Sequence, residues 1–97
     1  MSELFSLFRR SALNDVISVL WRNSNTLMEC WEERGVPASP YIGVADWAEV
    51  LSEVVGMRTE VWETLLPLLG GTVAAKPHLV NFRQQARLVE KEYRRAQ

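Results

Sequence analysis

Side chains capable of nucleophilic or acid–base chemistry are present in this chain, but their spacing does not assemble a catalytic set. Cys30 is the single cysteine and His78 the single histidine of the 97 residues. A nucleophile needs a nearby base and a group that orients that base, and a zinc site needs several ligands at short spacing. Neither pattern occurs. The sequence therefore predicts no catalytic residue, no metal site and no cofactor, and a protein that is not an enzyme.

Paired carboxylates recur at helical spacing in the middle of the chain. Glu49 and Glu53 are four residues apart, and Glu60 and Glu63 are three apart, so each pair shares one face of a helix. A carboxylate needs burial to raise its pKa far enough for acid catalysis, and nothing in the pattern predicts burial. We interpret the four glutamates as a solvent-facing acidic surface that meets a partner, and as candidate binding residues.

Charge is distributed unevenly, although the net charge of the chain is only −1. Residues 29–63 carry eight acidic and two basic side chains, whereas residues 76–97 carry six basic and two acidic ones. Two interpretations stay open: the basic end packs beside the acidic middle of its own fold, or one surface meets a charged partner. On the second, Arg83, Arg87 and Arg94 are candidate partner-binding residues.

Length and composition indicate one ordinary globular domain over residues 1–97. Hydrophobic residues make up 47% of the chain and charged residues 24%, the balance of a folded rather than a disordered protein. A single cysteine cannot form an internal disulfide, which favours a reducing compartment and predicts a cytoplasmic location. The apolar runs are too short to span a bilayer, so no membrane partner is expected.

Apolar periodicity predicts an all-α fold, a small bundle of about four helices. Residues 3–34 keep one apolar stripe in register and are predicted to form one long helix, bent at most within residues 23–26. The polar side chains there leave two separate helices as the alternative. Near the start, Leu4, Phe5 and Phe8 form a short patch predicted to pack on the domain or on a second copy rather than on a membrane.

A short helical hairpin is predicted after a connector at residues 35–44, whose prolines and glycines argue against regular structure. Asp46 is predicted to begin the first helix, and Gly56 to end it in the left-handed conformation that glycine adopts readily. Thr59 is predicted to cap the start of the second helix, and the glycines at 70–71 to end it.

The last predicted helix begins near Pro77, a residue that suits a first helical turn. Its apolar stripe comprises Leu79, Phe82, Ala86, Val89 and Tyr93. Spacings of three and four residues put these side chains on one face. We expect that face to pack back on the first helix, and pairing between two chains is the alternative, which leaves a homodimer open.

The hairpin sequence at residues 41–66, "YIGVADWAEVLSEVVGMRTEVWETLL", carries a recognisable spacing. Ser52 stands four residues before Gly56, and apolar residues follow at regular offsets. The segment resembles a helix-turn-helix, in places that of winged-helix regulators. The resemblance implies a DNA-binding transcriptional regulator, dimeric through its terminal helices. The phosphate contacts would then come from Arg58, Arg83, Arg87, Arg94 and Arg95.

The outward positions of the second hairpin helix depart from that pattern. They are Arg58, Thr59, Glu60, Glu63, Thr64 and Pro67. Neutralising phosphates supplies much of the affinity for DNA, and the two glutamates there oppose it. We therefore predict a small non-enzymatic binding protein: a regulator, adaptor or inhibitor that occupies a protein partner. By analogy with the small proteins that phages and mobile elements direct against host machinery, an inhibitor of host machinery is one such role. The helix-turn-helix regulator is the alternative.

Overall fold

The computed structural model describes the backbone of residues 2–96 and the side chains of residues 12–96. Within that range the chain forms five helices and two short strands. They are α1 (Ser2–Arg22), α2 (Ser24–Arg34), β1 (Tyr41–Gly43), α3 (Val44–Val54), α4 (Thr59–Leu69), β2 (Leu79–Asn81) and α5 (Phe82–Arg95). The expected all-α class is confirmed. The predicted packing of Leu4, Phe5 and Phe8 concerns side chains that are not among those the structure describes.

The predicted single helix over residues 3–34 is wrong, because the helix is interrupted at Asn23. The backbone there has φ −104° and ψ 11°, which is outside the helical region. The Asn23 side chain donates a hydrogen bond to the carbonyl of Val19 at 2.8 Å. Asparagine commonly bonds nearby backbone in this way and so weakens a helix interior. The result is two consecutive helices, α1 and α2, in place of one.

The connector at residues 35–44 contains a strand that the sequence did not predict. β1 pairs with β2 in an antiparallel ribbon, with Ile42 opposite Val80. The ribbon continues into both following helices: Val44 N–H donates to the His78 carbonyl at 2.9 Å, and Phe82 N–H donates to the Pro40 carbonyl at 3.0 Å. The loop before β2 therefore fixes the start of α3, and the loop before β1 fixes the start of α5.

The last helix begins five residues later than the sequence predicted. Pro77 lies in the loop before β2, and α5 starts at Phe82. Asn81 caps it, since its side-chain oxygen accepts a hydrogen bond from the backbone N–H of Gln84 at 3.0 Å. Pairing in the ribbon holds residues 79–81 extended, which overrides the helical spacing of Leu79.

The hairpin of α3 and α4 matches its prediction in outline. Gly56 has φ +108° and follows the end of α3, as expected for a left-handed turn residue. α3 begins two residues before the predicted Asp46. The predicted cap at Thr59 is wrong, because Thr59 is the first residue of α4 and Arg58 occupies the capping position without a side-chain hydrogen bond. Gly70 follows α4 with φ +85°.

One apolar core joins all five helices and the ribbon. Its largest fully buried side chains include Trp47, Trp62 and Phe82. The expected return of the last helix onto the first is confirmed, because Trp21 of α1 stacks on Tyr93 of α5 with ring centres 5.4 Å apart. At the other end of α5, the Phe82 ring lies against the Trp31 ring of α2, with ring centres 6.0 Å apart. α5 therefore runs antiparallel to the consecutive pair α1 and α2.

Candidate functional site

The chain contains two helix–loop–helix units joined by the ribbon: α2 with α3, and α4 with α5. This connectivity resembles a pair of EF-hand units, whose twelve-residue loops bind calcium. Such loops place oxygen ligands at positions 1, 3 and 5 and a bidentate glutamate at position 12. Across residues 35–46 these positions hold Gly35, Pro37, Ser39 and Asp46. Glycine and proline leave positions 1 and 3 without a side-chain oxygen, and position 12 has the shorter aspartate in place of glutamate, so the first loop lacks the ligand set that calcium requires.

The second loop fits calcium no better. Residues 73–84 place Val73, Ala75, Pro77 and Gln84 at the same four positions. Among the residues that the structure describes, no group of three or more histidine, cysteine or acidic side chains is placed to hold a metal ion. The likeness to EF-hand units is one of connectivity, and the donor chemistry of both loops does not fit the ion.

Two of the predicted glutamates belong to an ion cluster within the fold. Asp46, Glu49 and Glu53 form a row on α3, which we name the acidic ridge. Arg34, at the end of α2, reaches Glu49 at 3.2 Å, Glu53 at 3.1 Å and Asp46 at 4.0 Å. A hydrogen bond from the guanidinium to Glu49 is the main reason that the pKa of Arg34 is raised above its ordinary value. Part of the acidic charge is therefore compensated by the chain itself.

The other two predicted glutamates lie on the outward face of α4. Glu60 approaches Arg58 at 3.8 Å, with both side chains largely exposed, and Glu63 is exposed as well. Exposed pairs of this kind contribute little to stability. Trp62 on the inward face is buried, and its indole N–H donates to the Gly56 carbonyl at 2.7 Å. The inward side of α4 thus anchors the hairpin, and its outward side carries acidic charge.

A buried polar link that the sequence reasoning missed joins α5 to α3 and to the residue that follows α4. Gln85 of α5 is 2% exposed. Its side-chain oxygen accepts a hydrogen bond from the Trp47 indole at 2.8 Å, and its side-chain nitrogen donates to the Gly70 carbonyl at 2.8 Å. Both bonds satisfy groups that would be costly to bury unpaired. A polar residue beside the apolar stripe, between Phe82 and Val89, was the signal available in the sequence.

A groove runs between α5 and the α1–α2 pair, on the surface where these helices lie side by side. We name it the α2–α5 groove. It is open to solvent and holds about 460 Å³, within the range of ordinary binding sites. Its lining residues are Trp21, Ser24, Asn25, Met28, Glu32, Arg83, Ala86, Arg87 and Glu90. On α5, Ala86 and Arg87 are adjacent, and Arg83 and Glu90 each lie three or four residues from both of them, as one face of a helix requires.

The floor and the rim of the α2–α5 groove differ in character. The half-buried apolar side chains Trp21, Met28 and Ala86 supply an apolar floor. Exposed polar or charged side chains form much of the rim, including Glu32 on α2 and Arg87 on α5. An apolar floor inside a polar rim is the usual anatomy of a protein-binding surface.

Of the predicted basic site residues, the structure brings two together and separates the third. Arg83 and Arg87 both line the α2–α5 groove. Arg94 does not line it, and its guanidinium pairs with the carboxylate of the lining residue Glu90 at 2.9 Å. Among residues 12–96, no ion pair joins a basic side chain of α5 to the acidic ridge or to α4. The basic end and the acidic middle of the chain are therefore not paired with each other through those side chains.

Over the part of the chain that the structure describes, no helix is long and apolar enough to cross a membrane. In comparisons with known proteins, no family model, no curated sequence and no solved structure matches this chain.

Proposed function

We propose that this protein is a non-enzymatic binding module that holds a helical segment of a protein partner in the α2–α5 groove. The observation that carries the proposal is an apolar floor of Trp21, Met28 and Ala86 between two charged helices. Recognition of an amphipathic helix by an apolar groove is a recurrent mode of protein binding. Half-buried aromatic and methionine side chains supply adaptable apolar contact area in such grooves.

The length of the groove suits a short helix. Its lining extends along α2 from Ser24 to Glu32 and along α5 from Arg83 to Glu90. At 1.5 Å per residue these stretches measure about 10–12 Å, or roughly two helical turns. A partner helix lying between α2 and α5 would place an apolar residue from each turn on the floor.

The module would act by occupying its partner, as a regulator, an adaptor or an inhibitor. An inhibitor of host machinery encoded by a phage or mobile element is one such role. We place this action in the reducing cytoplasm, because Cys30 is the sole cysteine of the chain and lies half-buried on α2. A second copy of the chain is a candidate partner for the groove, and Glu60 and Glu63 remain a predicted second contact surface.

The helix-turn-helix alternative has weaker support. A DNA-reading hairpin would need basic side chains beside the outward face of α4. That face carries Glu60 and Glu63, while Arg83 and Arg87 line the groove with α2. Steeply salt-dependent binding of a generic DNA duplex, measured by fluorescence anisotropy, would restore this alternative.

The test is an unbiased selection of displayed helical peptides on the purified protein. Selected peptides are then measured against two tryptophan variants of α2. Asn25→Trp fills the groove from its exposed rim, whereas Glu29→Trp adds the same bulk on α2 outside the groove lining. We expect Asn25→Trp to weaken binding at least tenfold and Glu29→Trp to leave it unchanged. A selection without binders, or binders indifferent to Asn25→Trp, would overturn the proposal.

A further inference from the structure

We infer that the segment bound in the α2–α5 groove is an amphipathic helix that presents two carboxylates, one turn apart, to Arg83 and Arg87. This inference rests on the proposed function and specifies the chemistry of the partner. Carboxylates at this spacing lie on one edge of a helix, beside its apolar stripe. The partner is thus an acidic helix whose apolar residues contact the groove floor.

The pairing of the arginines on α5 carries the argument. α5 has four arginines, and the two outside the groove lining each have a carboxylate nearby: Arg94 has Glu90 at 2.9 Å, and Arg95 has Glu92 at 3.8 Å. Among the side chains of residues 12–96, no carboxylate lies within 4.0 Å of Arg83 or Arg87. Arg83 and Arg87, which line the groove, are therefore the arginines of α5 that can pair with carboxylates of a partner.

The positions of these two side chains suit that role. Arg83 is half-buried, and its guanidinium carbon lies 6.0 Å from the centre of the Phe82 ring, which restricts it at the start of α5. Arg87 is exposed one turn further along the same face. A guanidinium binds a carboxylate through two parallel hydrogen bonds, so each arginine can receive one acidic side chain in a defined orientation.

The opposite wall gives the partner helix a polarity across the groove. On α2 the rim carries Glu32 and Asn25 and no basic side chain. A carboxylate facing α2 would meet Glu32, whereas a lysine or arginine there would be attracted to it. The expected partner therefore carries acidic residues along the edge that faces α5 and neutral or basic residues along the edge that faces α2.

Each exposed ion pair of this kind is expected to strengthen binding by about two- to five-fold. Reversing both arginine charges also introduces repulsion, so the combined effect on an acidic peptide is about tenfold or more. The effect should shrink as salt screens the exposed charges.

The test uses a peptide from the selection described above, with its α5-facing edge carrying either two glutamates or two lysines four residues apart. Both versions are titrated against the native protein, the double variant Arg83→Glu/Arg87→Glu, and Lys91→Glu. Lys91 is the matched control, since it is an exposed base of α5 outside the groove lining. Circular dichroism verifies that all three proteins are folded.

We expect the native protein and Lys91→Glu to favour the glutamate peptide by about tenfold, and the double variant to favour the lysine peptide. Equal binding of both peptides by the native protein, or a glutamate preference that persists in the double variant, would overturn the inference. Those results would leave the proposed function standing if Asn25→Trp still blocks binding. Failure of the selection itself would instead remove the proposed function.

Discussion

The acidic ridge on α3 and the arginines of the α2–α5 groove are both dense in charge, but they differ in whether the fold itself supplies the opposite charge. Arg34 from the neighbouring helix reaches all three carboxylates of the ridge within 4.0 Å. Arg83 and Arg87 face a groove with an apolar floor, and the described ion pairs do not involve them. The ion pairs of the ridge connect α2 to α3, whereas the two groove arginines present charges that no described ion pair neutralises. A dense run of charge in a sequence therefore indicates a charged surface. Ion pairs within the fold then show which charges are already neutralised and which can bind a partner.

The largest expected effect comes from breaking the scaffold that carries both surfaces. Gln85 ties α5 to Trp47 of α3 and to the Gly70 carbonyl. Gln85→Leu leaves the buried Trp47 indole N–H and the part-buried Gly70 carbonyl without partners. At about 1–3 kcal/mol for each group, we expect the free energy of unfolding to fall by about 2–6 kcal/mol. Urea denaturation measures it. Gln84→Leu, at the exposed neighbouring position, is the control. Equal stability of the two variants would show that the buried link contributes nothing.

A second prediction separates binding from stability at the groove. Arg87→Gln removes one exposed charge from the rim while retaining a long polar side chain. We expect binding of a selected acidic peptide to weaken about two- to five-fold, with the unfolding midpoint in urea unchanged. Isothermal titration calorimetry at low salt measures the affinity. A loss of stability as large as that of Gln85→Leu would mean that Arg87 belongs to the fold, as Arg34 does.

The opposite result is expected at the ridge. Arg34→Gln leaves Glu49 and Glu53 facing each other without their shared cation. We expect Tm to fall by less than in Gln85→Leu, and the fall to diminish at about 1 M salt, where charges are screened beyond about 3 Å. Peptide binding at the groove should not change. Thermal scans at two salt concentrations, with Lys91→Gln as the exposed basic control, distinguish this from a general effect of charge removal.

The smallest expected effect concerns the two loops. Because residues 35–46 and 73–84 lack most of the side-chain oxygen ligands of a calcium loop, neither calcium nor a chelator should shift Tm. A ligand that binds only the folded state raises stability in proportion to the logarithm of its concentration. A Tm that rises steadily with calcium would therefore contradict the donor chemistry described for these loops.

Local patterns in the sequence predicted the helical class, the α3–α4 hairpin and the return of the last helix, because apolar spacing reports which face of a helix is buried. The ribbon was missed for a physical reason. Three-residue strands are too short to show an alternating pattern, and their pairing joins Ile42 to Val80 across a long stretch of chain. Leu79 also fits the helical spacing of Phe82, so the sequence alone predicts a last helix that begins near Pro77.

The candidate site was predicted only in part. Arg83 and Arg87, which line the groove, are candidates from the sequence because basic residues accumulate near the end of the chain. The opposite wall is not predictable from spacing, since an apolar stripe over residues 3–34 does not show which of its side chains, such as Trp21 and Met28, lie half-buried beside α5. Which of them meet α5 depends on the antiparallel packing seen in the Trp21–Tyr93 contact. Pairing of Glu49 and Glu53 by Arg34 is equally non-local, so no spacing rule could assign it.

The most direct test of the proposed groove is a nuclear magnetic resonance titration of the ¹⁵N-labelled protein with a selected peptide. The four tryptophan indole groups report different regions: Trp21 lines the groove, whereas Trp62 is buried in the hairpin and bonded to Gly56. We predict that the Trp21 indole signal and the backbone signals of Met28 and Ala86 shift, while the Trp62 signal stays in place. A shift of Trp62 with no change at Trp21 would contradict the proposal and place the partner on the hairpin.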